Sequence, residues 1–310
     1  MAKKEEKFGT SNPIVNTITG YVEEHSEELL SKALLTGDSQ RLFNLITDVK
    51  GDQALNIMDV NPIFQSGANC GWSESGTTEF TQRVLHGVPI KVNMAFCDKK
   101  LLKTVHQHLV KIAAGTETLP FEEKWTGDIV DNVKAGLEKM IYQGQSGQTN
   151  EFEGLISILE GASASTTNVS AATGTAAYTF LKKVVAAIPE KVKDPVILVS
   201  STLYREYMLD LVAANLYHYD PADGANEYKI PGTNVRVIGV DGLIGTEDYE
   251  YAIAANLSNL FYGVDLENDE EKFDLWYSKD NQEFRLAIEF IGGVQVAFPA
   301  EVTVGKRARS

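Results

Sequence analysis

Apolar residues recur every three or four positions along residues 122–142. Trp125, Ile129, Val133, Leu137 and Met140 form one stripe, and Val130 and Ile141 widen it. Lys124, Asp128, Asp131, Lys134 and Glu138 fall between them, on the side expected to face solvent. Pro120 stands near the start, where a missing N–H costs little, and Gly144 stands just past the end. The pattern predicts a helix of about 20 residues, a rod of roughly 30 Å. Gly127 and Gly136 each cost about 1 kcal/mol against Ala inside it. They either admit another backbone or loosen the helix. A rod with one apolar side needs a surface to bury against.

Before this helix the periodicity is mixed. Ile18, Val22, Leu29, Leu30 and Leu34 line one side of a helix over residues 17–35. It reads either as an ordinary packed helix or as an arm docked on a neighbouring subunit. Short strands are expected at 42–49 and 54–60, around a Lys50-Gly51-Asp52 turn, and turn chemistry fills 61–78. Val88, Ile90, Val92, Met94 and Phe96 alternate with Pro89, Lys91, Asn93, Ala95 and Cys97, the period of a half-buried strand. Between these strands lie Phe64, Trp72 and Phe80, in a glycine-rich loop with little local core. Three large aromatics there either fold back on the parent domain or touch something else.

After the long helix the chain reads as alternating layers. A short helix is expected near 99–113, an apolar segment at 152–160, and a small-residue loop at 161–177 that is exposed or partly disordered. Ala177, Tyr178, Leu181, Val184, Val185 and Ile188 make a helical stripe. Residues 195–200 make a short buried strand, and Ser200 or Ser201 can cap the next helix, whose stripe is Tyr204, Tyr207, Met208, Leu211 and Leu216. Strands are expected at 234–240, 249–255, 260–264 and 273–277. Phe284, Leu286, Ile288 and Phe290 then alternate with polar or small residues, Gly292-Gly293 breaks the run, and Val294, Val296 and Phe298 resume it. The fold class is α+β.

Charge narrows the partners. The 310 residues carry a formal charge of −15, a poor balance for gripping nucleic acid or an anionic membrane surface, both of which call for Lys and Arg. No run approaches the roughly 18 apolar residues of a membrane span. Two cysteines, Cys70 and Cys97, argue against a disulfide scaffold and predict free thiols in a reducing compartment. The segment MAKKEEKFGTSNP has no apolar core suited to a signal peptide.

Catalytic and metal chemistry finds no anchor. His106 and His108 would point about 200° apart on a helix and cannot share a metal. The cysteines have no zinc spacing, and no GxGxxG, P-loop, GxSxG or HExxH occurs. LENDEE at 266–271 and the Asp220/Asp223 turn lack the spacing of a Ca²⁺ loop and read as solvated acidic turns. No cofactor, metal or catalytic residue is assigned.

The order of these parts resembles the major capsid protein of tailed bacteriophages, the Hong Kong phage capsid fold. The stretches that carry the resemblance are Val49-Lys50-Gly51 followed by GANCGWSESGTT and VPIKVNMAFCDKKLL, the helix at 121–143, then PVILVSSTLYREYMLDLV, IPGTNVRVIGVDGL, YEYAIAANLSNLFYGVDLE and RLAIEFIGGVQVAFPAEVTV. They look similar to capsid proteins of phages related to the gut-phage group. The resemblance implies an N-terminal arm over 1–44, an extended β-hairpin loop over 45–98, and a peripheral domain with the spine helix over 99–165. It further implies an axial domain over 166–265 and closing strands over 266–310. It implies a non-enzymatic protein made in the host bacterial cytoplasm. Its pentamers and hexamers would build an icosahedral procapsid and virion shell around double-stranded DNA held without sequence-specific contact. A portal protein, and separate scaffolding or decoration proteins, are the expected companions; no membrane is involved. Phe64, Trp72 and Phe80 then become candidate intersubunit contacts. An encapsulin-type compartment shell stands as the alternative within the fold, and a cytoplasmic enzyme with a carboxylate-based site as the alternative from another class.

Overall fold

The computed structural model describes residues 13–62, 76–97, 103–105, 107–108, 110, 121–145, 147–148, 150–216, 227–265, 272–278 and 280–309. In chain order the helices and strands among them are α1 (Pro13–Leu35), α2 (Asp38–Leu42), β1 (Asn44–Ile46), β2 (Asp52–Pro62), β3 (Gly76–His86), β4 (Val88–Cys97), α3 (Phe121–Gln143), α4 (Leu155–Gly161), β5 (Thr167–Ala171), α5 (Ala177–Ala186), β6 (Val196–Ser200), α6 (Ser201–Ala213), β7 (Glu227–Lys229), β8 (Arg236–Val240), β9 (Tyr249–Ala255), β10 (Leu260–Val264), β11 (Lys272–Ser278), β12 (Glu283–Val296) and β13 (Thr303–Ala308). They divide into two compact units, one from the described residues of Met1–Gly37, Pro89–Gly136 and Leu266–Phe290, the other from those of Asp38–Val88, Leu137–Asp265 and Ile291–Ser310.

In the first unit, α1 buries Ile18, Val22, Leu29, Leu30, Ala33 and Leu34 and packs on β11. Strand β11 pairs antiparallel with β12, from Lys272↔Glu289 to Ser278↔Glu283. The period of two then separates the faces. Phe273, Leu275, Phe284, Leu286, Ile288 and Phe290 are buried, while Trp276 is 40% exposed. Strand β4 also pairs with β12; Lys91 reaches Glu289 at 2.5 Å, and the Phe96 ring meets Trp125 of α3 edge-on at 5.2 Å. The expected alternation on β4 is real but shallow: Ile90 is buried and Met94 is exposed. Cys97 at its end is an exposed free thiol; Cys70 lies outside the described residues.

A six-stranded sheet, in the order β5-β13-β9-β6-β8-β7, organises the second unit. Every residue of β6 is buried, as expected for a short apolar run flanked by strands on both sides. Ser200 caps α6 by accepting from the Leu203 N–H at 3.1 Å, and α6 leads to β8, which lies parallel to β6. Helices α5 and α6 cover the sheet with Phe180, Leu181, Val184, Leu203, Tyr207 and Leu211, all with essentially no exposure. Pairing of β10 with the end of β12 is antiparallel, and β1 adds to β10 in parallel.

Several expectations are corrected. The small-residue loop at 161–177 contains strand β5, paired in parallel with β13; its side chains bury little, but its backbone completes the sheet edge. Gly292-Gly293 does not interrupt β12, which runs unbroken from Glu283 to Val296. Those glycines pair with Val264 and Gly263 of β10, and a Cβ on Gly293 would stand 2.3 Å from the His86 carbonyl oxygen. The pair marks close backbone approach, which favours glycine within a strand. The 42–49 strand shrinks to β1 and joins β10 instead of its sequence neighbour, because Asp48 turns the chain with a φ of 65°. Among the described residues nothing lies within 4 Å of where a Cβ on Gly127 or Gly136 would stand, so no described backbone approaches either glycine closely.

Candidate assembly surface

Strands β2 and β3 form a two-stranded antiparallel ribbon, in register from Asp52↔His86 to Pro62↔Gly76. Eleven pairs at about 3.4 Å per residue give a projection of roughly 35 Å. Among the described strands neither makes any other pairing. An isolated two-stranded ribbon is marginal in water, so its base must be held. The Gly87 N–H donates to the Gly51 carbonyl at 3.1 Å, and His86 Nδ1 meets Asp52 Oδ1 at 2.7 Å. Leu85 is fully buried, its methyls seated against Gly263 and Gly293, where a Cβ would come within 2.8 and 3.2 Å of them. Gln295 of β12 donates to the Val84 carbonyl at 2.6 Å. Farther out, Gln82 donates to Asn56 across the ribbon at 2.9 Å.

Of the three aromatics singled out by the sequence, Phe80 lies on β3, paired with Met58. Phe80 is thus on a strand of the hairpin and not in its glycine-rich loop. Phe64 and Trp72 lie outside the described residues.

A second polar feature lies on α3. Glu138, expected in solvent, is 6% exposed. Ser39 donates its hydroxyl and, at 3.4 Å, its backbone N–H to the Glu138 carboxylate, and the Ser39 hydroxyl also meets the Tyr142 hydroxyl at 2.6 Å. Burial raises the Glu138 pKa above the usual carboxylate value; Asp38 and Asp241 add to that, while the Ser39 hydrogen bonds oppose it. Burial likewise lifts the Tyr142 phenol well above its ordinary value, with Glu138 adding to the shift. Gln143 ties α3 to the chain after β8 by donating to the Gly242 and Ile244 carbonyls at 2.6 and 2.8 Å.

On the six-stranded sheet, Arg307 of β13 pairs with Glu250 of β9 and, at 2.6 Å, with Glu206 of α6, and donates to the Thr175 carbonyl at 2.9 Å. These groups border an open hollow of about 520 Å³ that also includes Thr173, Asp210 and Arg309. Glu160 accepts from Lys306 at 2.6 Å and from the Tyr251 hydroxyl at 2.9 Å. Burial raises its pKa, but those two donors outweigh it and hold the carboxyl below its usual value. Glu160, Glu206 and Glu250 each have a cation within the chain, which makes them ties between strands and helices. Among the described residues no group of three or more His, Cys, Asp and Glu is arranged to hold a metal ion, and no helix is long and apolar enough to cross a membrane.

No protein-family model matches the chain, and no curated protein matches it at a significant level. Solved structures do. A chain of the satellite phage P4 procapsid including size determination (Sid) protein superposes with a TM-score of 0.61 at 9% identity, over 98% of this chain and 94% of its own. A chain of Gordonia phage Cozz gives 0.59 at 13% identity over 88% and 86%. The capsid of a native GTA particle, computed with C5 symmetry, gives 0.54 at 12% identity over 90% and 91%. The chain has the phage capsid fold. Among the described strands β2 and β3 pair only with each other, and this makes the ribbon the candidate assembly surface.

Sequence reasoning missed the Ser39–Glu138–Tyr142 cluster. A signal existed: Glu138 lies three and four residues before Ile141 and Tyr142, both fully buried, and therefore on their helix face. The seat of Leu85 carried no such signal, because glycines 263 and 293 meet it only through strand pairing.

Proposed function

We propose that this protein is a major capsid protein, self-assembling as pentamers and hexamers into the icosahedral shell of a tailed phage that encloses double-stranded DNA. The observation that carries the reading is fold likeness over essentially the whole chain, 98% of it and 94% of a procapsid chain. Partial likeness would leave room for a grafted function; end-to-end likeness leaves little unaccounted for. The acidic balance supports the same reading, since many copies at −15 repel packaged polymer instead of gripping it. The role is structural, and the partners are other copies of the chain, a portal protein and any scaffolding or decoration proteins. Assembly takes place in the host cytoplasm.

Within this reading residues 1–44 act as the arm, 45–98 as the extended loop, 99–165 and 266–310 as the peripheral domain, and 166–265 as the axial domain. Phe64, Trp72 and Phe80 are proposed as contacts on a neighbouring subunit. Aromatic anchors recur in such interfaces, and burying one is worth roughly 1.5–3 kcal/mol. Sedimentation and negative-stain microscopy of the purified protein, with its scaffolding partner supplied, test the reading. Rings or shells are the expected result; a chain that stays monomeric at high concentration overturns it. Trp72→Ala should weaken assembly while leaving subunit unfolding within about 0.5 kcal/mol of wild type.

A further inference from the structure

The chain passes from the first compact unit to the second after Gly37 and again after Gly136. Ser39 stands two residues past the first crossing and Glu138 two residues past the second. Both lie in the second unit, and they are hydrogen-bonded to each other.

Three elements close on the Glu138 carboxyl. From α2, Ser39 donates its hydroxyl and its backbone N–H, and Asp38 sets a negative charge nearby. On α3 itself, the Tyr142 hydroxyl meets the Ser39 hydroxyl at 2.6 Å. From the 3-10 turn Asp241–Leu243, Asp241 adds a second negative charge and accepts from the Ser201 hydroxyl at 2.5 Å. A Cβ on Gly242 would stand 2.3 Å from the Glu138 carbonyl oxygen and 2.4 Å from the Tyr142 ring, so this turn seals the cluster. Ser39 and Tyr142 have no exposure, and Glu138 has almost none. Among the described residues the charges that act on Glu138 are acids; no Lys, Arg or His does.

A buried carboxyl with hydrogen bonds but no counter-cation is tolerated as the neutral acid and is costly as the anion. Ionisation sets a third negative charge, out of water, near Asp38 and Asp241. The Ser39 donors offset part of that cost, and burial outweighs them. We propose that Ser39, Glu138 and Tyr142 form a proton-operated clasp that holds α2 to the end of α3, closed while Glu138 keeps its proton and loosened as it ionises. Its contribution is complete below the ordinary carboxylate value and is lost as pH rises through the raised one. The segment set free is α2, the short link between α1 and β1.

Amide exchange of the full-length, unassembled subunit tests the clasp, read as protection relative to the intrinsic rate at each pH. In wild type, protection at 38–42 should fall by about tenfold or more as pH rises through the raised value, while 196–200 stays level. Glu138→Gln keeps hydrogen-bonding capacity and cannot ionise, so its 38–42 amides should stay level too. Carbon-13 titration of the Glu138 carboxyl in wild type gives a reading that needs no variant, and its midpoint should lie above the ordinary carboxylate value. If Glu138→Gln does not fold, that midpoint and the wild-type exchange decide. Wild-type protection at 38–42 that ignores pH, a fall shared by Glu138→Gln, or an ordinary midpoint overturns the proposal. Every reading is made on one copy, so the shell reading stands or falls separately.

Discussion

The six-stranded sheet and the β2–β3 ribbon belong to the same compact unit and obey opposite rules. In the sheet, β6 has paired strands on both sides and helices over its face; Ile197, Val199, Phe180 and Tyr207 are sealed. Its charged groups are paired inside the chain, as Arg307 with Glu206 and Glu250 shows. Among the described strands the ribbon has one pairing, its own, and along residues 51–56 its positions alternate between half-buried and exposed before Ile57, which is buried. The sheet is complete in one copy. Under the proposed function that difference separates stability from assembly, and substitutions in the two regions should separate likewise.

The largest effect belongs to the sheet. Phe180→Ala should lower subunit stability by about 3–5 kcal/mol in denaturant unfolding, because the ring is fully buried. A smaller loss would mean that the sheet is less self-sufficient than described. Next comes the seat of the ribbon. Gly293→Ala places a methyl 2.3 Å from the His86 carbonyl and should cost about 1–3 kcal/mol, with faster amide exchange at Leu85 and His86. Equal loss of protection across β6 would contradict the separation.

The smallest effect sharpens the comparison through pH. Glu138 has its pKa raised in the folded chain by burial, with Asp38 and Asp241 adding. A raised carboxyl binds its proton more tightly when folded, so its contribution is fully present below the ordinary carboxylate value and is lost as pH rises through the raised one. Wild-type stability should therefore decline over that interval, and Glu138→Gln should flatten the decline. Parallel pH profiles for the two proteins would show that Glu138 is not the group responsible.

Legibility in the sequence followed the same division. Where apolar periodicity meets a core within the chain, the elements were readable: α3, α5, α6, β6 and β12 fall close to where their stripes placed them. Strand β5 was not, because Thr167, Asn168 and Ser170 carry no apolar pattern and the strand exists through its pairing with β13. Glu138 looked solvated because a charged residue beside an apolar stripe normally is. Ser39, far away in sequence, supplies the hydrogen bonds that let it be buried. The length of the ribbon was half hidden. Gly76 to Phe80 read as turn and loop, and only the cross-strand register to Met58 and Pro62 makes them strand.

Amide hydrogen exchange on the free subunit and on assembled particles, read at 52–62 and 76–86 against 196–200 and 249–255, tests most directly whether the ribbon is completed by another copy. The β6 and β9 amides should exchange equally slowly in both states, while the ribbon amides should slow by about tenfold or more on assembly. Ribbon amides as protected in the free subunit as in the particle would place the ribbon in its own core and contradict the account.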